Sequence, residues 1–223
     1  MGSVSQITEP GGLARVIDHT ILRPDAGRAD VIRFCDEAKL HHFCSVCVNP
    51  VNIPTVARAL AGSGVRTCSV IGFPFGAIPT AVKAAEASWV VEAGADEVDM
   101  VIALGALKDG DLPAVRKDIT DVKRACGKAI LKVILETCLL TEDEKIAACR
   151  LSQEAGADFV KTSTGYSKAG ATVEDIALMR RIVGDAMGVK ASGGIRTRAD
   201  AIRMLEAGAS RIGASASIAI IGG

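Results

Sequence analysis

One short pattern recurs along the chain and constrains its fold more than any other feature. The sequence reads EAGADEVDM from Glu92, EAGADFVKT from Glu154 and EAGASRIGA from Glu206. In each copy, the end of a helix-like segment is followed by a glycine and then by an apolar run. Glycine is favoured where a helix ends in a left-handed conformation, and a continuous apolar run is typical of a buried parallel strand. The pattern therefore predicts repeated strand–helix units.

The same glycine signal recurs between these copies. Helix-ending glycines are expected at positions 64, 94, 127, 156, 188 and 208. Eight strands are predicted, at 15–20, 43–48, 66–72, 97–103, 129–136, 159–163, 189–192 and 211–215. Segments with helical spacing lie between them, among them 77–93, 111–125, 141–155, 172–186 and 198–207. Eight alternating units predict the α/β class and a (β/α)8 TIM barrel.

A single domain is predicted over residues 1–223, with a short N-terminal segment, 1–12, outside the barrel. The alternative architecture is a doubly wound open sheet. That fold normally has fewer strands and a glycine-rich phosphate-binding turn after its first strand. The first predicted strand here lies in VIDHTILRP, which contains no G-x-G-x-x-G motif. The barrel is therefore favoured.

Composition narrows the classes of partner and location. The 26 Lys and Arg residues balance the 26 Asp and Glu residues, and only seven residues are aromatic. Such a chain has no general positive field and few rings for stacking on bases, so we expect no nucleic-acid partner. Its apolar runs are shorter than a membrane span and the first ten residues lack a signal-peptide pattern, so we expect no membrane association. Seven cysteines, mostly in apolar runs, suggest reduced thiols in the cytoplasm.

Charged residues interrupt several of the predicted apolar strands. They are Asp18, Asp99, Lys132, Lys161 and Lys190. Catalytic groups of TIM barrels lie at the carboxyl ends of the strands, and a charge in a core is costly unless it faces other charges or a wet cavity. These residues therefore form either buried structural ion pairs or an active site.

Lys161 is the strongest candidate for a nucleophile. The predicted fifth, sixth and seventh strands are neighbours, so Lys132, Lys161 and Lys190 are expected to converge. A lysine becomes nucleophilic when its neutral amine is populated, which apolar surroundings and an adjacent cation promote. Lys161 follows Phe159 and Val160 and has Lys190 as the adjacent cation. The sequence predicts a Schiff-base lysine, with ionised Asp99 relaying protons through a water molecule.

Two glycine-rich segments predict a phosphate site. SGGIR (192–196) and IGAS (212–215) follow the seventh and eighth strands, where this fold usually binds phosphate. TSTG (162–165) is expected to close a third side. The three histidines form neither an H-x-H nor an H-E-x-x-H motif, so we expect no metal site.

Nine motifs together resemble the deoxyribose-phosphate aldolase family over residues 13–215. They are IDHTIL (17–22), VCVNP (46–50), GFPFG (72–76), Lys83 with Glu86, ADEVDMVI (95–102), LKVILET (131–137), FVKTSTG (159–165), KASGGIRT (190–197) and RIGAS (211–215). The resemblance implies cleavage of 2-deoxy-D-ribose 5-phosphate into acetaldehyde and D-glyceraldehyde 3-phosphate, without a metal or organic cofactor.

The resemblance also implies roles for individual residues. Lys161 corresponds to the imine-forming lysine, Lys190 to the neighbour that favours its neutral amine, and Asp99 to the proton-relay carboxylate. Lys132 corresponds to a partner of Asp99 and of the substrate hydroxyl. The implied phosphate-binding set is Gly165, Gly193, Gly194, Gly213 and Ser215.

The chain departs from the family pattern in two places. Many members have asparagine where this chain has Ala103. Some members end in a tail whose terminal tyrosine assists proton transfer, whereas this sequence ends in IAIIGG and its one tyrosine, Tyr166, is interpreted as a packing residue.

Two other functions remain as alternatives. The chain is either another Schiff-base aldolase acting on a different sugar phosphate, or a non-catalytic phosphate-binding barrel whose lysines anchor an anion. In addition, the apolar segment SIAIIGG at 217–223 is expected to need cover from a second subunit, which favours a homo-oligomer.

Overall fold

Eight parallel strands close into a barrel in the computed structural model, which describes residues 11–222. The strands are β1 Ile17–Ile21, β2 Ser45–Val48, β3 Arg66–Ile71, β4 Glu97–Val101, β5 Ile130–Ile134, β6 Phe159–Lys161, β7 Gly188–Ser192 and β8 Arg211–Ala214. Each strand pairs with the next along the chain, and β8 pairs with β1. The predicted TIM barrel is confirmed. The domain limits stay a prediction, because residues 1–10 and 223 lie outside the described residues.

Helices follow the strands and cover the outside of the barrel. They are Arg28–His41, Ile53–Leu60, Thr80–Glu92, Leu104–Lys108, Leu112–Cys126, Glu142–Glu154, Val173–Val183, Arg198–Glu206 and Ser217–Gly222, with short 3-10 turns at Leu13–Val16, Pro50–Asn52 and Thr137–Leu139. Thr141 and Glu144 form a reciprocal capping box that starts one helix. None of the helices within 11–222 combines the length and the apolar character that a membrane crossing requires.

The main apolar core lies between the strands and the helices. Side chains alternate along a strand, so one face of each strand points to the helices and the other points into the barrel. Val98, Met100, Leu131 and Val133 are fully buried in the core cluster. Burial stabilises the fold by roughly 1.5–3 kcal/mol for each such side chain. The alternate positions on the same strands therefore point into the barrel.

Gly188 has a different role from the one predicted. The expectation that it ends a helix is wrong, because the helix Val173–Val183 ends at Gly184 with a φ of +59° and Gly188 is the first residue of β7. A Cβ atom on Gly188 would lie 2.1 Å from the ring of Phe159. Close packing against this ring therefore requires glycine at position 188.

The C-terminal helix Ser217–Gly222 packs on its own chain. Ile220 is fully buried and Ile221 packs against the core, whereas Ile218 is 39% exposed. The expectation that this segment needs cover from a second subunit is wrong for Ile220, which its own chain buries. Gly223, the last residue of the segment, lies outside the described residues.

Candidate active site

Charged side chains occupy much of the barrel interior, where branched aliphatic residues usually dominate. Alternate strands contribute successive layers, as the strand register shows. From the amino ends of the strands upward, the layers are Ser45, Glu97, Phe159 and Arg211; then Asp18, Cys68, Lys132 and Lys190; then Cys47, Asp99, Lys161 and Gly213. Ion pairs therefore fill much of the barrel interior, in place of the usual layers of aliphatic side chains.

Asp99 lies at the centre of this arrangement. Its Oδ1 atom accepts a hydrogen bond from Lys132 Nζ at 2.7 Å. Its Oδ2 atom accepts one from Lys161 Nζ and one from Lys190 Nζ, both at 2.8 Å. Burial alone would raise the pKa of Asp99, but the three ammonium groups hold it well below its usual range. The three lysines that the sequence singled out thus meet on one ionised carboxylate.

Lys132 and Lys190 each bridge two carboxylates. Lys190 Nζ lies 2.5 Å from Asp18 Oδ2 in addition to its bond to Asp99, and Lys132 Nζ lies 2.6 Å from Glu97 Oε2. Burial opposes the charged form of both lysines. The neighbouring carboxylates nevertheless raise the pKa of Lys132 and of Lys190 well above the ordinary value. Both side chains are therefore charged at neutral pH.

Lys161 differs from these two lysines in its access to solvent. It lines a cavity of about 520 Å³ at the carboxyl end of the barrel, although its side chain is only 3% exposed. Asp99, Lys132 and Lys190 lie beneath the cavity and do not line it. Asp99 Oδ2, shared with Lys190, is its ion-pair partner within the described part of the chain. Lys161 is therefore the interior amine that a molecule in the cavity can reach.

The residues expected to bind phosphate lie on the wall of the same cavity. They are Gly165, Gly193, Gly194, Gly213 and Ser215. Gly165, Gly193 and Gly194 have φ values of +87°, +83° and +78°, which a residue with a Cβ atom rarely adopts. The structure thus places Lys161 and the whole glycine and serine set around one space.

The loops after β6 and β7 are packed directly against each other. The backbone N–H of Ala171 donates to the carbonyl oxygens of Ser192 and Gly193, both at 3.1 Å. The Ser192 hydroxyl donates to the carbonyl of Ser163 at 2.6 Å. A Cβ atom on Gly170 would lie 2.1 Å from the carbonyl oxygen of Gly193. The two loops therefore hold each other in place. They carry Gly165, Gly193 and Gly194, which form the glycine wall of the cavity.

Glu136 is a site residue that the sequence interpretation did not identify. It follows β5, is 2% exposed and has a φ of +55°, in the left-handed region. Its carboxylate accepts hydrogen bonds from the hydroxyl and the backbone N–H of Thr164. Thr164 lines the cavity, so Glu136 fixes the loop that carries Gly165. Its charge directly after an apolar strand was the available signal.

Tyr166, interpreted as a packing residue, also lies on the cavity wall. Its ring is 51% exposed and meets Phe73 edge-to-face, with 5.5 Å between the ring centroids. Burial, followed by the charge of Asp25, raises the pKa of its hydroxyl, which stays protonated at neutral pH.

Three arginines at the cavity were also not predicted as a group: Arg23, Arg33 and Arg196.

One group of three metal-ligating residue types occurs among residues 11–222. The ligand atoms of Cys47, Cys68 and Asp99 lie within 4.8 Å of one another. Both oxygens of Asp99 already accept hydrogen bonds from ammonium groups, and burial raises the pKa of the Cys68 thiol well above its ordinary value. A metal ion here would face three ammonium groups and a neutral thiol, so this donor set fits a cation poorly.

Comparisons with known proteins show the family of the chain and agree with its fold. The family model described as DeoC/LacD family aldolase matches residues 13–222. A deoxyribose-phosphate aldolase of Rhodospirillum rubrum is 70% identical over 209 residues, which cover 94% of this chain and 88% of that protein.

Two solved structures are also closely similar. A putative deoxyribose-phosphate aldolase of Coccidioides immitis has a TM-score of 0.94 and 43% identity, and the match covers 96% of this chain and 86% of that one. The deoxyribose phosphate aldolase of Aeropyrum pernix, described as tetrameric, has a TM-score of 0.92 and 37% identity, with 98% and 93% covered. The chain therefore belongs to the DeoC/LacD aldolase family.

Proposed function

We propose that this chain is a class I aldolase that reversibly cleaves 2-deoxy-D-ribose 5-phosphate into acetaldehyde and D-glyceraldehyde 3-phosphate through a Schiff base on Lys161. One observation carries the proposal: Lys161 is the buried interior amine that reaches the cavity, and the glycine and serine wall lines the same cavity. The relative from Rhodospirillum rubrum bears the name of this activity at 70% identity, which supports the choice of substrate.

The reaction begins at the aldehyde carbon of the open-chain sugar. Neutral Lys161 Nζ attacks this carbon, and the resulting carbinolamine loses water to give a protonated imine. Asp99 contacts both Lys161 and Lys190, so the Lys190 ammonium group and the Asp99 carboxylate are positioned to supply and accept the protons that this dehydration needs. The positive imine nitrogen then serves as the electron sink for bond cleavage.

Cleavage breaks the C2–C3 bond. A water molecule activated by Asp99 removes the proton of the C3 hydroxyl, the C3 carbonyl forms, and the electrons of the C2–C3 bond move into the imine to give an enamine. D-glyceraldehyde 3-phosphate leaves. Protonation of the enamine at C2 and hydrolysis of the imine release acetaldehyde and free Lys161. Lys132 holds Asp99 on its other oxygen and keeps it ionised.

The glycine wall is proposed to hold the 5-phosphate. Gly193 and Gly194, both at positive φ, carry no Cβ atom where an anion would approach, and Ser215 offers a hydroxyl. This is the position after the last two strands where TIM barrels commonly bind phosphate. Arg196 adds positive charge at the same cavity.

Reductive trapping tests the proposal directly. Incubation with acetaldehyde and borohydride, followed by peptide mass mapping, is expected to label Lys161, and the label is expected to disappear in Lys161→Met. Absence of label, or a label on Lys190, would overturn the assignment. A non-catalytic phosphate-binding barrel would give no label.

A coupled assay tests the choice of sugar. Turnover of 2-deoxy-D-ribose 5-phosphate is expected to exceed that of its 2-hydroxy analogue, D-ribose 5-phosphate. Equal turnover of the two would favour the other Schiff-base aldolase instead. Because the imine itself withdraws the electrons, the proposed reaction needs neither a metal nor an organic cofactor, and activity is expected to survive treatment with EDTA.

The setting of the enzyme is also part of the proposal. The seven cysteines are free thiols, which fits a reducing cytoplasm. Phe75 and Trp89 are 75% and 49% exposed, and the relative from Aeropyrum pernix is described as tetrameric, which together support a homo-oligomer. The balanced charge supports a small-molecule substrate and no nucleic-acid partner. Light scattering on the purified protein would measure the oligomeric state.

A further inference from the structure

Seven buried charged side chains point into the barrel from its strands, and half-exposed Arg66 at the amino end of β3 is not counted among them. Three are carboxylates, Asp18, Glu97 and Asp99, and four are basic, Lys132, Lys161, Lys190 and Arg211. Their side chains are between 0% and 7% exposed. Without Lys161, three negative charges balance three positive charges. With Lys161 as an ammonium group, this interior carries one surplus positive charge.

The contacts distribute the carboxylates among the cations other than Lys161. Glu97 Oε2 lies 2.6 Å from Lys132 Nζ and 2.9 Å from an Arg211 nitrogen. Asp18 accepts from Arg211 at 2.7 Å on Oδ1, and its Oδ2 lies 2.5 Å from Lys190 Nζ. Each carboxylate thus bridges two of these three cations. Among the described residues, the carboxylate that contacts Lys161 is Asp99, which also contacts Lys132 and Lys190.

An uncompensated charge in a buried site is costly, so the surplus proton is expected to leave the cation with the fewest carboxylate contacts. Lys132 and Lys190 each have two carboxylate partners at 2.8 Å or less. Arg211 remains charged because guanidinium does not deprotonate in proteins. Lys161 is the remaining amine, its carboxylate partner Asp99 is shared with the other two lysines, and of these seven side chains it alone lines the cavity.

We propose that Glu97 and Arg211 are positioning residues of the aldolase reaction, which set the net charge of the barrel interior and thereby the balance between the neutral and charged forms of Lys161: the Arg211 guanidinium favours the neutral amine, and the Glu97 carboxylate opposes it. Neither residue lines the cavity, and both belong to the layer at the amino ends of the strands. They act through Lys132, Asp18 and Asp99, and do not touch the reacting atoms. The inference rests on the proposed function, because it concerns the imine-forming lysine.

Other charged and titratable groups face these residues and must be considered in a pH experiment. Glu97 faces Lys132 from β5, Arg211 from β8 and half-exposed Arg66 from β3, which donates to Glu97 Oε1 at 2.7 Å. Lys161 faces Asp99 from β4 and Lys190 from β7, and the Cys47 thiol of β2 lies within its electrostatic reach. Of these, Glu97 and Arg211 can be altered without removing a group that touches Lys161.

The test measures the rate of borohydride trapping of the acetaldehyde imine across pH in the full-length protein. Glu97→Gln adds one net positive charge to the interior, so the acid limb of the profile is expected to move to lower pH by about one unit. Arg211→Met removes one positive charge, so the limb is expected to move to higher pH by a similar amount. The double variant restores the charge and is expected to return the limb toward its wild-type position.

Two further variants separate charge from packing. Ser45→Ala removes a hydroxyl that donates to Asp18 Oδ1 at 2.7 Å in the same layer, without changing any charge, and Arg211→Lys keeps the charge with a different shape. Both are expected to leave the limb in place. If Glu97→Gln or Arg211→Met fails to fold, Arg66→Met at the half-exposed edge is expected to move the limb to higher pH by a smaller step.

The direction in which the acid limb moves in each variant decides between a role in charge and a purely structural role. Limbs that stay fixed while the rates fall, or that move in the same direction in Glu97→Gln and Arg211→Met, would overturn the inference and assign both residues a purely structural role. An unmoved limb in Arg66→Met, where only that variant folds, would do the same. Absence of any trapped imine in the wild-type protein would instead overturn the proposed function.

Discussion

Asp99 has more cations in contact with it than its single charge can neutralise. Lys132 holds one oxygen, and Lys161 and Lys190 share the other. A carboxylate in this position cannot stabilise all three ammonium groups equally. Lys132 and Lys190 gain a second carboxylate from Glu97 and Asp18, respectively, whereas Lys161 does not. The asymmetry among three chemically identical side chains therefore comes from their second contacts.

Replacement of Lys190 by methionine should expose this asymmetry. Asp99 Oδ2 would then pair with Lys161 alone, which favours the ammonium form of Lys161. Imine formation at neutral pH is expected to slow by roughly 10- to 100-fold and to recover in part at alkaline pH. The measurement is the rate of reductive trapping with acetaldehyde as a function of pH.

Lys145→Met is the matched control for this experiment. Its ammonium group is mostly buried and pairs with Asp175 at 2.6 Å, outside the barrel interior. Its pH profile is expected to follow that of the wild-type protein. A defect in Lys190→Met that is equally large at every pH would show that Lys190 acts through geometry and not through charge.

At the scale of the strand–helix unit, the sequence was sufficient to predict the architecture. Glycine after each helix and an apolar run after each glycine are local signals, and the boundaries of the eight strands lie within two residues of the predicted positions. The boundaries that differ have local causes. The helix predicted over 172–186 ends at Val183 because Gly184 adopts a positive φ.

Part of the site was predictable for the same reason. Lys132, Lys161 and Lys190 interrupt apolar runs on three consecutive strands, so their convergence followed from strand order. The pairing of Glu97 with Arg211 did not follow from strand order. The strands β4 and β8 lie on opposite sides of the barrel, and the contact between the two side chains depends on the strand register. Local patterns carry little information about the register of a closed sheet.

The loop after β6 provides a prediction at this scale. Gly170→Ala would place a Cβ atom 2.1 Å from the carbonyl oxygen of Gly193 and so displace the loop after β7. The KM for the sugar phosphate is expected to rise roughly tenfold or more, because the glycine wall, which is proposed to bind the phosphate, moves relative to Lys161. Trapping of acetaldehyde, which carries no phosphate, is expected to change little.

Gly105→Ala serves as the control for Gly170→Ala. No atom lies within 4 Å of the Cβ position at Gly105, and its φ is not in the left-handed region. Both reactions are expected to be unaffected in this variant. If Gly170→Ala lost acetaldehyde trapping and sugar-phosphate turnover to the same extent, the loop would support the whole site and not the glycine wall in particular.

At the scale of the whole molecule, the barrel places ionised groups where most barrels place aliphatic side chains. Such a core depends on the ionisation of its carboxylates. The pKa of Asp18, of Glu97 and of Asp99 is lower in the folded protein than its ordinary value, because the buried ammonium and guanidinium groups outweigh the effect of burial. The stability of the barrel is therefore linked to pH.

The sign of this linkage predicts acid sensitivity. A carboxylate with a lowered folded-state pKa stabilises the protein fully above the pH at which the unfolded carboxyl group ionises, near 4, and the stabilisation is lost as pH falls further. Three such groups are expected to lower the free energy of unfolding by roughly 3–5 kcal/mol between pH 6 and pH 3. Urea denaturation at several pH values in this range measures the loss.

Neutralising an exposed acid separates the interior from the surface. The carboxylate of Asp121 pairs with Lys117 on the surface of the helix Leu112–Cys126, where solvent screens the interaction. Asp121→Asn is expected to reproduce the wild-type loss of stability between pH 6 and pH 3. Neutral His19, whose pKa burial lowers, contributes a further decline that begins below pH 6.5. A free energy of unfolding that stayed constant from pH 5 to pH 3 would contradict the linkage to the buried carboxylates, because none of the three can remain ionised in the unfolded chain at pH 3.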